Sequence, residues 1–538
     1  MTVFAAFVKP RRQTTPLAVF VLAFALFLYG CSTGANVTPT PQPTSQATGA
    51  GTQQALPESG GPEPEGFLRV AMQPVVQTDP AFISSDPEVL AANAVYDYLV
   101  DVTVENTIAP RLATAWDMSD DGLTYVFTLA EGVSFHDGSP FSAGDVVWTF
   151  NRLRNDPGLP TAALYANIDS IVATGDLEVT FTLKQPNPFF LFDLSDNHAL
   201  VIKAGTQDPA NLFNGTGPFK LVDYAPEDRL IVEAYPDYFM DGQPGLPGVE
   251  FIFFNDQSAQ VDALRGGQVD LVMAISTDLY ASLQNDPEIR LLNVPTNGFD
   301  LIRLRADRKP GSDPRVIQAL KLATDREVIY QLVLQGLGSI GRDSPIGPIY
   351  SQYYTEEFPL PERDVAQARA LLAEAGYENG LALDLHTPDT GNRPNLAVLL
   401  KEQWAEAGVN LNVIVEPESV YYGDNGWLDV DLGITGWGSR PYPQFYLDVM
   451  LVCGAVWNEA HFCDEEFDRL VMTAGTSLDE QERVQAYHEI QRILIERGPV
   501  IIPYFFAQLG AVSSQVTGFE MKAFPGRSDL RNVTLSGR

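Results

Sequence analysis

The chain has 538 residues, more than one hydrophobic core serves well, so two or three domains are expected. Hydrophobic residues make up 45% and aromatic residues 10%, which excludes a wholly disordered chain. A formal net charge of -35 argues against nucleic acid or an anionic membrane surface as the main partner, because both would repel it.

Lys9, Arg11 and Arg12 precede the apolar run LAVFVLAFALFLY (17–29), which is short for a membrane span and has the pattern of a signal peptide over residues 1–30. Leu28-Tyr29-Gly30-Cys31 resembles the lipobox of bacterial lipoproteins and implies lipid attachment at Cys31, with Tyr29 departing from the small residue usual there. A plain signal peptide or an uncleaved anchor is the other reading. Residues 31–65 hold almost no large apolar side chain and cannot offset their ordering entropy, so they read as a flexible tether. The order of parts predicts an extracytoplasmic protein, periplasmic or on the cell surface, held to the membrane by lipid on Cys31. With Cys31 so used, Cys453 and Cys463 remain. They could form a disulfide, stay as two buried thiols, or join His461 and Asp464 in an incomplete metal set. The disulfide is the pairing expected, with no metal.

Along the body, LTYVFTL (123–129) and LEVTFTL (177–183) alternate as half-buried strands. Ser142 and Asp145 have capping-box spacing and start a helix through VVWTFNRLR. Helical spacing recurs in PRVIQALKLATDREVIYQLVLQ, VAQARALLAEAG, NLAVLLKEQWAEAG and LDEQERVQAYHEIQRILIERG. Between them LNVIVEP (411–417), VDLGITGW (430–437) and PVIIPYF (499–505) read as short strands. The class is mixed α/β, richer in strand in its first half.

Several motifs look chemical and are read as structural. GLGSIG (336–341) follows a helix, whereas a dinucleotide fold needs strand, turn, then helix. GTGPFK (215–220) lacks the spacing and the Lys-Ser/Thr pair of a P-loop. Asp429 and Asp431 read as solvated or turn-forming, and His136, His198, His386, His461 and His488 are scattered. No catalytic constellation and no cofactor motif stands out, so the chain is read as a non-enzyme.

APRLATAWDMSDDGLTYVFTLAEGVSFHDGSPFSAGDVVWTFNRLRN (109–155) resembles the signature region of family 5 extracytoplasmic solute-binding proteins, the peptide- and nickel-type receptors of ABC importers. The likeness continues in order through NGTGPFKLVDYAPEDRLIVEAYPDYF (214–239), ALRGGQVDLV (263–272), DPRVIQALKLATDREVI (313–329) and ALLAEAGYENGLALDL (370–385). It implies a type II periplasmic-binding-protein-like fold of cluster C, two lobes plus an extra small domain with a hinge between the lobes. Lobe I is expected at 66–105, 205–297 and 505–538, domain II at 106–204 and lobe III at 298–504. PTNGFD (295–300) and GPVIIPY (498–504) are the hinge candidates. The implied partners are a solute (peptide, modified peptide, oligosaccharide or anion) and ABC permease subunits, with the chain a monomer. A secreted hydrolase and a receptor for a sensory partner are the competing readings.

In peptide-binding members, a Gly-Trp at the end of a lobe III strand is followed, three residues after the Trp, by an aspartate that binds the ligand's α-amino group. Here Gly436-Trp437 aligns and the third residue on is Arg440, a reversal of charge. Arg440 suits a carboxylate, phosphate or polyol oxygens, and Trp437 offers a plate for a sugar or apolar ring. Arg440 turned outward, or paired with a nearby acid, is the bland alternative. NRPN (392–395) resembles the Arg-Pro segment that binds a dipeptide's C-terminal carboxylate, which makes Arg393 a second candidate beside a plain surface turn. Trp437, Arg440, Tyr442, Arg393 and Asn297 are the expected ligand-binding residues.

Overall fold

The structure, a computed structural model, describes residues 66–423 and 426–536. The expectations for the signal peptide, Cys31 and the tether lie outside the described residues. Among those described, no helix is long and apolar enough to cross a membrane.

One twelve-stranded mixed sheet runs through both lobes. Its middle is made by two long antiparallel strands, Ile289–Leu304 and Tyr504–Ser513. On one side lie Leu271–Val272, Leu68–Met72, Gly248–Phe253, Arg229–Ala234 and Phe219–Ala225; on the other lie Leu432–Trp437, Leu381–Pro388 and Val409–Glu416. Within each lobe the inner pairs are parallel, Leu68–Met72 with Gly248–Phe253 and Leu381–Pro388 with Val409–Glu416. Parallel strands require covered faces, which is why LRVAM is buried almost throughout. The two central strands pair from Ile289↔Ser513 to Pro295↔Ala507, lose register, and resume at Phe299↔Phe505. This irregularity falls within PTNGFD, at the passage from one lobe to the other.

A separate four-stranded sheet contains Ala113–Met118, Thr124–Leu129, Glu178–Leu183 and Ile168–Gly175. The alternation in LTYVFTL turns Tyr125, Phe127 and Leu129 inward. The helix Ala143–Asn155 packs beside them, with Phe150 edge-on to Phe181 at 5.4 Å. Its start is held by the Ser142–Asp145 capping box, the Ser142 N–H donating to Asp145 Oδ2 at 2.8 Å. One apolar cluster runs from this small sheet into the first lobe, joining Phe127 and Phe181 to Val70 and Phe251. Two further clusters serve the second lobe, and Phe189, from the segment after the small sheet, sits in one of them.

Local chemistry divides elements that periodicity alone would join. The segment 313–334 forms two helices, Pro314–Ala323 and Arg326–Val333, because Asp325 accepts the Val328 N–H and caps the second. PVIIPYF likewise divides into Val500–Ile501 and a strand that begins at Tyr504 and runs on to Ser513. Between them, Pro503 has no N–H to give a ladder.

GTGPFK owes its glycines to packing. A Cβ on Gly217 would lie 2.4 Å from the Val95 carbonyl carbon, and the Gly217 N–H donates to the Val95 oxygen at 2.9 Å. A disulfide joins Cys453 and Cys463, so neither sulfur is a thiolate free for a metal. His461 instead bonds the Leu428 carbonyl, and Asp464 caps the helix Glu465–Thr476.

Candidate functional site

The two lobes face each other across a cavity of about 600 Å3. The first lobe contributes Asp86 from the start of the helix Asp86–Val95, and Gln257 and Gln260 from the helix Gln257–Arg265. The second contributes Trp437, Gly438, Ser439 and Arg440. A neighbouring cavity of about 360 Å3 shares Ser439 and Arg440 and is walled by Tyr442, Phe445, Asp193 and His198. Arg440 therefore stands where the two cavities meet.

GWGSRPYPQF begins as strand and then leaves the sheet. Trp437 is the last residue of Leu432–Trp437, paired with Phe299, and the two prolines in the segment that follows have no N–H to give a ladder. The Trp437 indole lies edge-on to Tyr446 and Trp457, at 6.2 and 6.1 Å, and its N–H donates to Glu459 Oε1 at 3.3 Å. Only 9% of Trp437 is exposed, so it presents part of itself to the cavity. Arg440 is exposed and forms no ion pair among the described residues. Its guanidinium lies 4.6 Å from the Phe445 ring centroid, and Tyr350 O–H holds the Arg440 carbonyl at 2.6 Å.

Tyr442 stacks on Phe189 at 4.8 Å and donates its O–H to Asp193 Oδ1 at 2.6 Å, which ties the second lobe to the segment after the small sheet. Burial raises the Asp193 carboxyl from its ordinary 3.8 to about 7, against the lowering by hydrogen bonds from Tyr442 and Asn187. The folded protein thus keeps a proton that the unfolded chain releases near pH 4, so Asp193's contribution to stability falls as pH rises toward 7. The melting temperature of the wild type minus that of Asp193→Asn is expected to decrease between about pH 4 and pH 7. A constant difference would contradict this assignment.

The remaining two expected residues line neither cavity. Asn297 is fully buried; its amide donates to the Pro345 carbonyl at 2.7 Å and accepts the Gly347 N–H at 2.8 Å. Its backbone N–H donates to Ser439 Oγ at 3.0 Å, so Asn297 positions the loop that carries Arg440. Its neighbours Thr296 and Gly298 line the main cavity. Arg393 starts the helix Arg393–Ala405, and its Nε donates to Asp300 Oδ1 at 2.9 Å while Nη1 donates to Thr390. Burial raises the Asp300 carboxyl, against the lowering by Arg393 and Tyr504. With its charge engaged by Asp300 and its guanidinium lying against Gly436, Arg393 supports the wall from behind.

Sequence reasoning missed Asp86, Gln257, Gln260 and Gln508, all lining the main cavity. Asp86 reads locally as one more acid in a helix's first turn, and nothing in the spacing of the glutamines distinguishes them from solvated residues. The cavity walls also bring Ser195, Asp196 and His198 together. His198 Nδ1 meets Asp196 at 2.5 Å, but Ser195 Oγ donates to the Phe192 carbonyl at 2.8 Å. The trio is not wired as nucleophile and base.

The arrangement is therefore suited to enclosing a solute between lobes. The profile for bacterial extracellular solute-binding proteins, family 5 Middle, matches residues 107–458. The chain belongs to this family of solute-binding proteins. Relatives span most of the chain. The "Probable di/tripeptide-binding protein 5" of Pseudomonas aeruginosa is 29% identical over 491 residues, covering 82% of this chain and 91% of the relative. Heme-binding protein A of Haemophilus influenzae is 27% identical over 536 residues, covering 92% and 96%. The solved structure of HbpA2 from Haemophilus parasuis superposes with a TM-score of 0.79 at 24% identity, covering 88% of this chain and all of that one. The fold is accordingly the type II periplasmic-binding-protein architecture of family 5.

Proposed function

We propose that this family 5 protein is the substrate-binding lipoprotein of an ABC importer, non-catalytic and monomeric, held outside the cytoplasm by lipid on Cys31. It captures a solute in the cavity between its lobes and delivers it to the permease. Closure bends the two central strands where their register breaks, between Pro295 and Phe299, and buries the solute. The ligand offers Arg440 a carboxylate, phosphate or polyol oxygens, and does not place a free amine there.

The observation that carries this reading is the Arg440 guanidinium, without an ion-pair partner among the described residues, at the junction of the two cavities. An ammonium opposite a guanidinium in a closed cleft would be repelled, whereas a carboxylate accepts two parallel N–H bonds. A peptide C-terminus is a carboxylate, and haem carries carboxylate propionates, so both relatives' named ligands present the group that Arg440 suits.

A thermal-shift screen over peptides, blocked peptides, organic acids and sugars, followed by titration calorimetry on the hits, tests this. Arg440→Ala is expected to weaken binding of the best hit by about 10- to 100-fold, the size of one charged hydrogen-bonded contact. Peptides that bind wild type and Arg440→Ala equally well would overturn the assignment.

A further inference from the structure

Arg440 shares the main cavity with a group of opposite charge. Asp86 opens the helix Asp86–Val95 on the first lobe, is exposed, and lines the same cavity as Arg440. Asp86 Oδ1 accepts the Gly526 N–H at 3.0 Å; its carboxylate has no other hydrogen bond and no ion pair among the described residues. The remaining groups that line this cavity are neutral, so it holds one carboxylate from one lobe and one guanidinium from the other.

Capping does not account for Asp86. Glu88 closes the capping box, its carboxylate accepting the N–H groups of Ser84, Ser85 and Gln77 at 2.9, 3.1 and 2.8 Å. Fold stability alone gives Asp86 one hydrogen bond, to Gly526. Although Asp86 is exposed by surface area, partial desolvation by its surroundings raises its carboxyl above the usual range, against the lowering from that one N–H. With one hydrogen bond and no ion pair among the described residues, this carboxylate is open to a cation brought by the ligand.

We infer that Asp86 is the cation-binding group of the site, so that the protein takes a bipolar ligand whose carboxylate meets Arg440 and whose ammonium meets Asp86. This rests on the Arg440 reading above and extends it. The family resemblance implies an amine held at the position of Arg440; here the amine is assigned to the first lobe instead. Two fixed charges of opposite sign on opposite lobes also couple recognition to closure. A bipolar solute engages both only when the lobes approach, whereas a solute with one charge leaves the other group desolvated and unpaired.

The test uses a panel of zwitterionic di- and tripeptides together with their N-acetyl and C-terminal amide forms, titrated into wild type, Asp86→Asn and Arg440→Ala. The asparagine keeps an acceptor for the Gly526 N–H, and the wild-type comparison of free and acetylated peptides needs no variant. For the tightest free peptide, N-acetylation is expected to weaken binding to wild type at least 10-fold and to have little further effect on Asp86→Asn. Amidation is expected to weaken wild type and spare Arg440→Ala. Acetylated peptides that bind wild type as tightly as free ones overturn the inference, as does a panel in which no free peptide binds. If amidation and Arg440→Ala weaken binding while acetylation and Asp86→Asn do not, the Arg440 reading stands and this inference fails. If amidation and Arg440→Ala are also without effect, both fail.

Discussion

Replacing Arg111 with methionine is expected to destabilise the protein by about 3–5 kcal/mol, because it leaves a buried carboxylate without a counter-charge. Arg111 is 2% exposed; its Nε donates to Asp97 at 2.5 Å and its Nη1 to Asp101 at 3.0 Å. The two acids fare differently once it is gone. Asp101 keeps Lys522 and Arg527, at 3.3 and 3.0 Å, whereas Asp97 loses its ion-pair partner and keeps Thr216 and Tyr238 as neutral donors. Burial would raise the Asp101 carboxyl, but Lys522, Arg111, Arg527 and Arg531 hold it well below the usual range. The network joins residues near 100 to residues near 525, so it ties that late segment to the first lobe. The loss is read as a lower urea midpoint at unchanged slope. A change below about 1 kcal/mol would mean that Asp97 is compensated by its hydrogen bonds alone.

Arg303→Met is expected to cost a similar amount, about 3–5 kcal/mol, in the second lobe. Arg303 is fully buried, with Nε donating to Glu459 Oε2 at 3.0 Å, Nη1 to the Val430 carbonyl at 2.9 Å, and Nη2 to the Trp427 carbonyl. Burial raises the Glu459 carboxyl, against the lowering by Arg303, Thr435 and Trp437. Without Arg303 that opposition weakens and Glu459 takes up a proton at a higher pH. Glu459 also accepts from Thr435 Oγ1 at 2.6 Å and from the Trp437 indole, so the change reaches the cavity wall. The expected signature is a lower urea midpoint with altered tryptophan fluorescence that a Trp437→Phe background removes. Adding Glu459→Gln should recover part of the loss, because the pair is then neutral. A double variant less stable than Arg303→Met would contradict this account.

Much of the scaffold was legible from the residues. Tyr125, Phe127 and Leu129 alternate inward as LTYVFTL predicts, and Ser142 and Asp145 close the box their spacing announces. These features depend on neighbours within a few positions, where backbone geometry leaves few choices. The same locality misled where one residue outweighs a period, as Asp325 does in dividing the segment 313–334.

The charged groups were legible by type and not by role. Sequence singled out both Arg393 and Arg440, and spacing could not tell them apart. In the folded chain Arg393 meets Asp300, 93 positions away, and leaves the cleft, while Arg440 meets no acid among the described residues and remains in it. Asn297 became a brace for the Arg440 loop, and Asp86, unremarkable in sequence, came to line the same cavity as that loop. By itself, then, the sequence determined the family, through motifs resembling known members, and most strands and helices and the irregular loop at 436–445, which follow from local order and spacing. Which charges are engaged and which stay open to a ligand was decided by the tertiary structure alone, because pairing and burial depend on residues brought together from distant parts of the chain.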